Sequence, residues 1–238
     1  MSQLFKLLSI SLFCLCSVAH AQESLQHIGE WMSHYYEKPA PDQFTKWLHD
    51  AAVAGAFEKP SARFPLMIFT TEILKMNPDK GSLWCEDLAT VSSTGKAYIG
   101  WAFYNSNIPA AEQCVQTQLG LSDSDIQKIM GTTRYDPLSK EPASPADLDM
   151  LWAVFSATGN EVAVNKIIDV LARPAPKKGT EGSTNMLMMK GAAKWSLTSN
   201  IQQHTRVAGI VEKRRVTESG VLKKELDEAV ANASKSGR

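Results

Sequence analysis

The chain carries no excess of either charge: 25 Lys and Arg stand against 25 Asp and Glu in 238 residues. A protein that neutralises nucleic-acid phosphates needs a basic surplus, and the one basic cluster, Lys213-Arg214-Arg215, is short, so nucleic acid is not an expected partner. Long apolar runs are scarce as well. Beyond the first 21 residues no stretch approaches the roughly 20 apolar residues needed to cross a bilayer. Gly-x-Ser-x-Gly, the elbow that exposes a serine nucleophile, is missing, and the cysteines lie in no activating context. The string SSTGKAY from Ser92 to Tyr98 ends like a phosphate-binding loop, yet Ala97 replaces the required Ser or Thr and Thr90 stands where the first Gly belongs. No run alternates apolar and polar residues as a strand does, which points to an all-α fold.

The amino end, MSQLFKLLSISLFCLCSVAHA, has Lys6 as its only charge, an apolar run from Leu7 to Val18, and the small-x-small site Ala19-His20-Ala21. That is the form of a cleaved secretory leader spanning 1–21, so the mature chain is expected to begin at Gln22 and to be periplasmic or secreted, with no membrane span. Cleavage removes Cys14 and Cys16 and leaves Cys85 and Cys114. In an oxidising compartment a lone pair is a disulfide candidate, against the alternative of two buried thiols.

Residues 22–238 are read as one all-α domain of degenerate helical hairpins, α-solenoid-like in design. Leu148, Leu151, Trp152 and Phe155 recur at i, i+3, i+4 and i+7, and Val164, Ile167, Ile168 and Leu171 repeat that spacing beyond Ala157-Thr158-Gly159-Asn160. Gly159 is placed to stop the first helix and Asn160 to cap the second, with Glu161 at its positive end. Three further segments are expected to bend at Asn77, Asn107 and Asn200, each with an aromatic on its first helix: Phe69, Trp101 and Trp195, beside Trp152. These aromatic-bearing helices are expected to be buried. The spacing of the bends is uneven, so convergent hairpins in an ordinary helical domain remain an alternative to true repeats. Ser122 with Asp125, and Ser144 with Pro145 and Asp147, mark two helix starts. Residues 173–184, rich in Pro, Gly and Lys, form an expected exposed loop, and 216–238 a charged helix that frays into a tail.

In this alignment Cys85 and Cys114 take nearly the same place on the second helices of consecutive hairpins. Stacking would set them side by side, although helix axes pack about 8–10 Å apart and a disulfide needs Cα atoms within about 7 Å.

The strings DMLWAVFSATGN and KWSLTSNIQQH resemble motifs of a group of small secreted or periplasmic bacterial helical proteins. The resemblance covers most of the mature chain, and its specific part runs from Asp149 to His204. It implies a helical fold and export, and it carries no activity to any residue.

For metal chemistry the best constellation is His27, Glu30, His34 and Glu37, at i, i+3, i+7 and i+10 of the first mature helix, where a solvated polar face opposite Ile28, Trp31 and Tyr35 explains them as well. For binding or acid–base work the candidates are Trp152, Asn160, Trp195, Asn200 and His204, with His204 one turn into the last hairpin's second helix and Asp149 or Glu161 as its acid partner. The plainer roles are packing and capping. With no catalytic motif complete, the leading expectation is an exported, non-enzymatic helical-repeat protein without a cofactor that offers a surface of stacked helices to another protein or peptide. The competing expectation is a hydrolase or metal-dependent enzyme with a site between hairpins, which would gather at least three ionisable groups in one cleft.

Overall fold

A computed structural model describes residues 25–91, 93–174 and 182–236. The expected leader, the Gln22 start, the tip of the 173–184 loop and the last two residues lie outside the described residues. Within them the chain is all-α, with no strand. It divides into two compact units, one ending at Thr133 and one beginning at Arg134, a boundary that no sequence signal marked.

The first unit opens with α1 (25–34), which tightens into a 3-10 turn at Tyr35–Glu37. Next come α2 (Phe44–Val53) and α3 (Pro60–Met76), then α4 (Gly81–Leu88), α5 (Ser93–Asn105), α6 (Pro109–Thr117) and α7 (Asp123–Met130). Pro60 and Pro109 stand at the first helical positions, where a missing N–H leaves nothing unpaired. Ser122 caps α7 by accepting the Asp125 N–H at 3.2 Å. At one end of the core Trp31, Trp47 and Phe69 pack as a ring cluster, with centroids 4.8 Å apart for Trp31–Trp47 and 5.1 Å for Trp47–Phe69. The Trp47 indole donates to the Ile28 carbonyl at 3.1 Å, which ties α1 to α2 and leaves no orphaned donor there.

The two hairpins of this unit stack helix on matching helix, α3 on α5 and α4 on α6. Small residues set the approach. A Cβ on Gly81 of α4 would lie 3.6 Å from the Ala111 Cβ of α6, and one on Gly100 of α5 would lie 2.9 Å from Leu121 Cδ1. Thr71 Oγ has two acceptors in reach for its one proton, the Met67 carbonyl of its own helix at 2.9 Å and the Ala102 carbonyl of α5 at 3.2 Å, so its donor is satisfied within the core.

The second unit begins with the 3-10 turn Pro137–Ser139, followed by α8 (Pro145–Thr158), α9 (Glu161–Ala172), α10 (Ser183–Gln203), α11 (Thr205–Thr217) and α12 (Gly220–Ser236). The Asp147 carboxylate accepts from Ser144 N and Ala143 N, both at 2.8 Å, and from the Ser144 hydroxyl, which fixes the start of α8. Gly159 ends α8 at φ 67°, a left-handed conformation that glycine adopts without a Cβ clash, and Asn160 Oδ1 accepts the Val162 N–H at 2.9 Å to open α9. α10 packs on α8, α9, α11 and α12. Its Met189, Ala193 and Leu197 are wholly buried.

One expectation about the carboxyl half needs correction. α10 runs past Asn200 to Gln203, and the bend falls at His204; the Asn200 side chain donates back to the Ser196 carbonyl at 2.8 Å and does not cap the next helix. In the 216–238 segment, expected as a charged helix and tail, α11 extends to Thr217 and α12 runs from Gly220 to Ser236, burying Leu222, Leu226, Ala229 and Ala233 along one face.

Candidate functional site

The bend asparagines are largely spent on backbone groups. Asn160 caps α9; Asn77 donates to the Ile73 carbonyl at 2.8 Å where α3 ends; Asn107 takes φ 60° between α5 and α6. Asparagine enters the left-handed region more readily than most residues, so a turn role accounts for Asn107.

His204 is not one turn into a helix but is the junction itself, at the end of α10 and the start of α11. It is buried, with its ring edge-on to Phe155 at a centroid distance of 5.8 Å. The two carboxylates considered as its partners lie on α8 and at the start of α9. Asp149 precedes Phe155 by six residues on α8, about 9 Å of helical rise. Glu161 faces Arg206 of α11 at 3.7 Å.

The metal constellation does not form along one helix face. α1 stops at His34, and the 3-10 turn rotates Glu37 off the face that its spacing implied. His34 Nδ1 and Glu37 Oε2 still meet at 3.3 Å, both side chains being 43% exposed. Glu30 accepts from Gln26 at 3.0 Å, and neither it nor His27 is gathered with the other two.

Cys85 and Cys114 form a disulfide between α4 and α6 with a Cα separation of 5.8 Å, and both are buried. The Gly81–Ala111 contact one turn earlier supplies the close helix approach that a typical interaxial spacing would deny.

The tryptophans part ways. Trp152 is half-buried with its ring edge-on to Phe155 at 5.9 Å, and its indole N–H is enclosed without an acceptor. Trp101 is also half-buried, while Phe69 is fully buried. Trp195, expected in the core, is 74% exposed. It does not stand alone. Leu187 and Met188, about two turns earlier on α10, are 59% and 55% exposed, and Gly191 lies between them and Trp195. Leu187, Gly191 and Trp195 fall at i, i+4 and i+8, so they form one uncharged stripe along the outer face of α10.

Next to this stripe a cleft of about 590 Å³ is lined by Glu141, Pro142, Arg173, Asn185, Met186 and Met189, among others. Its polar side chains bind the chain itself. Arg173 donates to the Pro142 carbonyl at 2.6 Å and to Glu141 at 3.2 Å, and Asn185 donates to the Ala143 carbonyl at 2.9 Å. Lys166 reaches the Lys140 carbonyl and Glu141, both at 3.1 Å. Lys166, and then Arg173, hold the Glu141 carboxyl below the ordinary carboxylate range. These bonds clamp the extended segment before α8 onto α9 and α10, which is a structural task.

Comparison with protein-family models, curated proteins and solved structures gives no match. Function therefore rests on the site itself. The basic cluster offers little free cationic charge for phosphates, since Arg214 pairs with Asp169 and Glu218, both at 2.8 Å, and Arg215 pairs with Glu212 and Asp227. Among the described residues no helix is long and apolar enough to cross a membrane.

Leu187 and Met188 carried no weight in the sequence, and the signal that pointed to them was the methionine-rich run Met186-Leu187-Met188-Met189 directly after the loop. Four consecutive apolar residues cannot all face one core from a helix, so at least one must face outward.

Proposed function

We propose that the chain is an exported, non-enzymatic helical protein whose second unit presents α10 to another protein or peptide. The observation that carries this reading is the exposed apolar stripe of Leu187, Met188 and Trp195 on an ordered helix. Single exposed apolar residues are ordinary, but the three side chains together uncover on the order of 400–500 Å², within the range of patches that are often functional on monomers. Tryptophan is the residue type most enriched at binding hot spots, and methionine adapts its unbranched chain to irregular partners. Neither needs a cofactor.

Export is supported by the leader-like segment 1–21 and by the resemblance of Asp149 to His204 to secreted or periplasmic helical proteins. A buried disulfide persists in oxidising compartments and fits the same destination, periplasmic or released.

The test is affinity capture from the exporting cell with the wild-type chain and with Trp195→Lys on parallel columns. The expected result is a protein or peptide retained by the wild type and lost by the variant. Equal retention on both columns, or none on either, would remove α10 as the binding face.

A further inference from the structure

The stripe on α10 is symmetric about its glycine. Leu187 lies four residues before Gly191 and Trp195 four residues after it, so the order along the helix is large, small, large. A helix carrying such a ridge meets an antiparallel copy of itself with Leu187 of each chain against Trp195 of the other and the two glycines at the crossing. Every contact made by one chain is then repeated by its partner, which is the self-complementarity a two-fold interface requires. Ridges of i±4 spacing interdigitate in the commonest class of helix crossing, and interaxial distance falls with the size of the residues at the contact.

Gly191 gains a role in this arrangement. A Cβ there would meet nothing within 4 Å inside the chain, so no internal packing calls for glycine in a helix interior, where it is less favourable than alanine. At a crossing, the missing side chain lets the second backbone in.

Charge permits the approach. The two cations beside the stripe are turned onto their own chain: Lys190 donates to the Arg173 carbonyl at 2.8 Å, and Lys194 pairs with Glu225 at 3.0 Å and with Glu228. Lys194 is neutralised by its carboxylate partners, and Lys190 keeps its charge but holds it against its own chain's carbonyl. The area sets the strength. About 400–500 Å² per copy gives about 800–1,000 Å² in total, at or just below the lower limit for a specific interface and well short of the roughly 1,600 Å² of a standard one, which fits a weak, transient contact.

We propose that the occupant of this face is a second copy of the chain, held as a weak antiparallel two-fold dimer across Gly191. The inference rests on the reading of α10 as an interaction face and names its partner.

The experiment is analytical ultracentrifugation of the purified protein from about 1 µM to about 500 µM, the range in which an interface of this size dissociates. The wild type should rise from the mass of one chain toward that of two. Trp195→Glu and Leu187→Lys should each weaken association at least about tenfold, as expected for loss of a hot-spot contact. Mixing these two variants should restore a mixed dimer. In it one crossing contact becomes a Glu–Lys pair and the other keeps the wild-type Leu187–Trp195 contact. Both positions are exposed, so the variants keep the fold, and circular dichroism checks this.

A wild type that stays monomeric to the highest concentration overturns the dimer. So does a mixture that associates no better than its components. If the wild type is monomeric and still captures a different protein through Trp195, the dimer falls and the binding reading stands; if it is monomeric and captures nothing, both fall.

Discussion

Breaking the Cys85–Cys114 bond should destabilise the first unit by about 3–4 kcal/mol, because the sequence separation of 29 closes a loop of about 30 residues and denies that entropy to the unfolded chain. The perturbation is the pair Cys85→Ala and Cys114→Ala. Alanine is preferred to serine since both sites are buried and a hydroxyl there would need a hydrogen-bond partner. The cavity term is small, and the Gly81–Ala111 contact keeps α4 against α6 without the bond. For a chain of this size about 1 kcal/mol shifts the melting temperature by about 2–4 °C, so the expected loss is roughly 6–16 °C. Thermal unfolding followed by circular dichroism, with urea titration as the second measure, compares three samples: oxidised wild type, reduced wild type and the double variant. The last two should melt together, well below the first. Thiol titration of the denatured exported protein should find no free cysteine. A double variant within about 1 kcal/mol of the oxidised protein would refute the chain-entropy argument for this loop.

Trp152→Ala should cost about 2–4 kcal/mol in urea unfolding, since the half-buried ring packs edge-on to Phe155, whereas Trp152→Phe should cost under about 1 kcal/mol because it keeps a ring and removes an enclosed N–H that has no acceptor; equal losses for both would mean the indole nitrogen is bonded after all. Burial raises the Asp147 carboxyl, but donors from Ala143, Ser144 and Tyr135 outweigh it and hold the group below the ordinary range. Its folded pKa is therefore depressed, so its stabilisation is complete above the unfolded value of about 4 and disappears as pH falls through the folded value. Asp147→Asn should lower stability by about 1–2 kcal/mol at neutral pH and flatten the acid limb of the stability profile, and an unchanged acid limb would assign that limb to other carboxylates. Intact-mass measurement of the exported protein should give a chain starting at Gln22, and recovery of Met1 to Ala21 would overturn the export reading.

What the sequence alone determined is local. The starts of α7 and α8 at Ser122 and Ser144, and the stop and restart at Gly159 and Asn160, depend on bonds that span two to four residues, so the residues that make them lie within one short window. The all-α class came from periodicity for the same reason. The disulfide was legible as far as its alignment, but the approach that permits it comes from Gly81 against Ala111, a pairing that no single-helix pattern contains. Other features were decided only by the tertiary structure. Asn200 has the composition of a bend, yet α10 continues through it because packing on four neighbouring helices outweighs one residue's preference for a turn. The division into two units depends on which hairpins meet, and hairpin sequences of similar design do not encode that. Trp195 is the clearest case. α10 has apolar residues on more than one side, so Met189-Ala193-Leu197 and Leu187-Gly191-Trp195 are both acceptable core stripes in the sequence. Helix period defines each stripe, but the neighbours α8, α9, α11 and α12 choose between them. They close over the first stripe and leave the tryptophan outside, because a helix packed on one side can bury only the face that its neighbours reach.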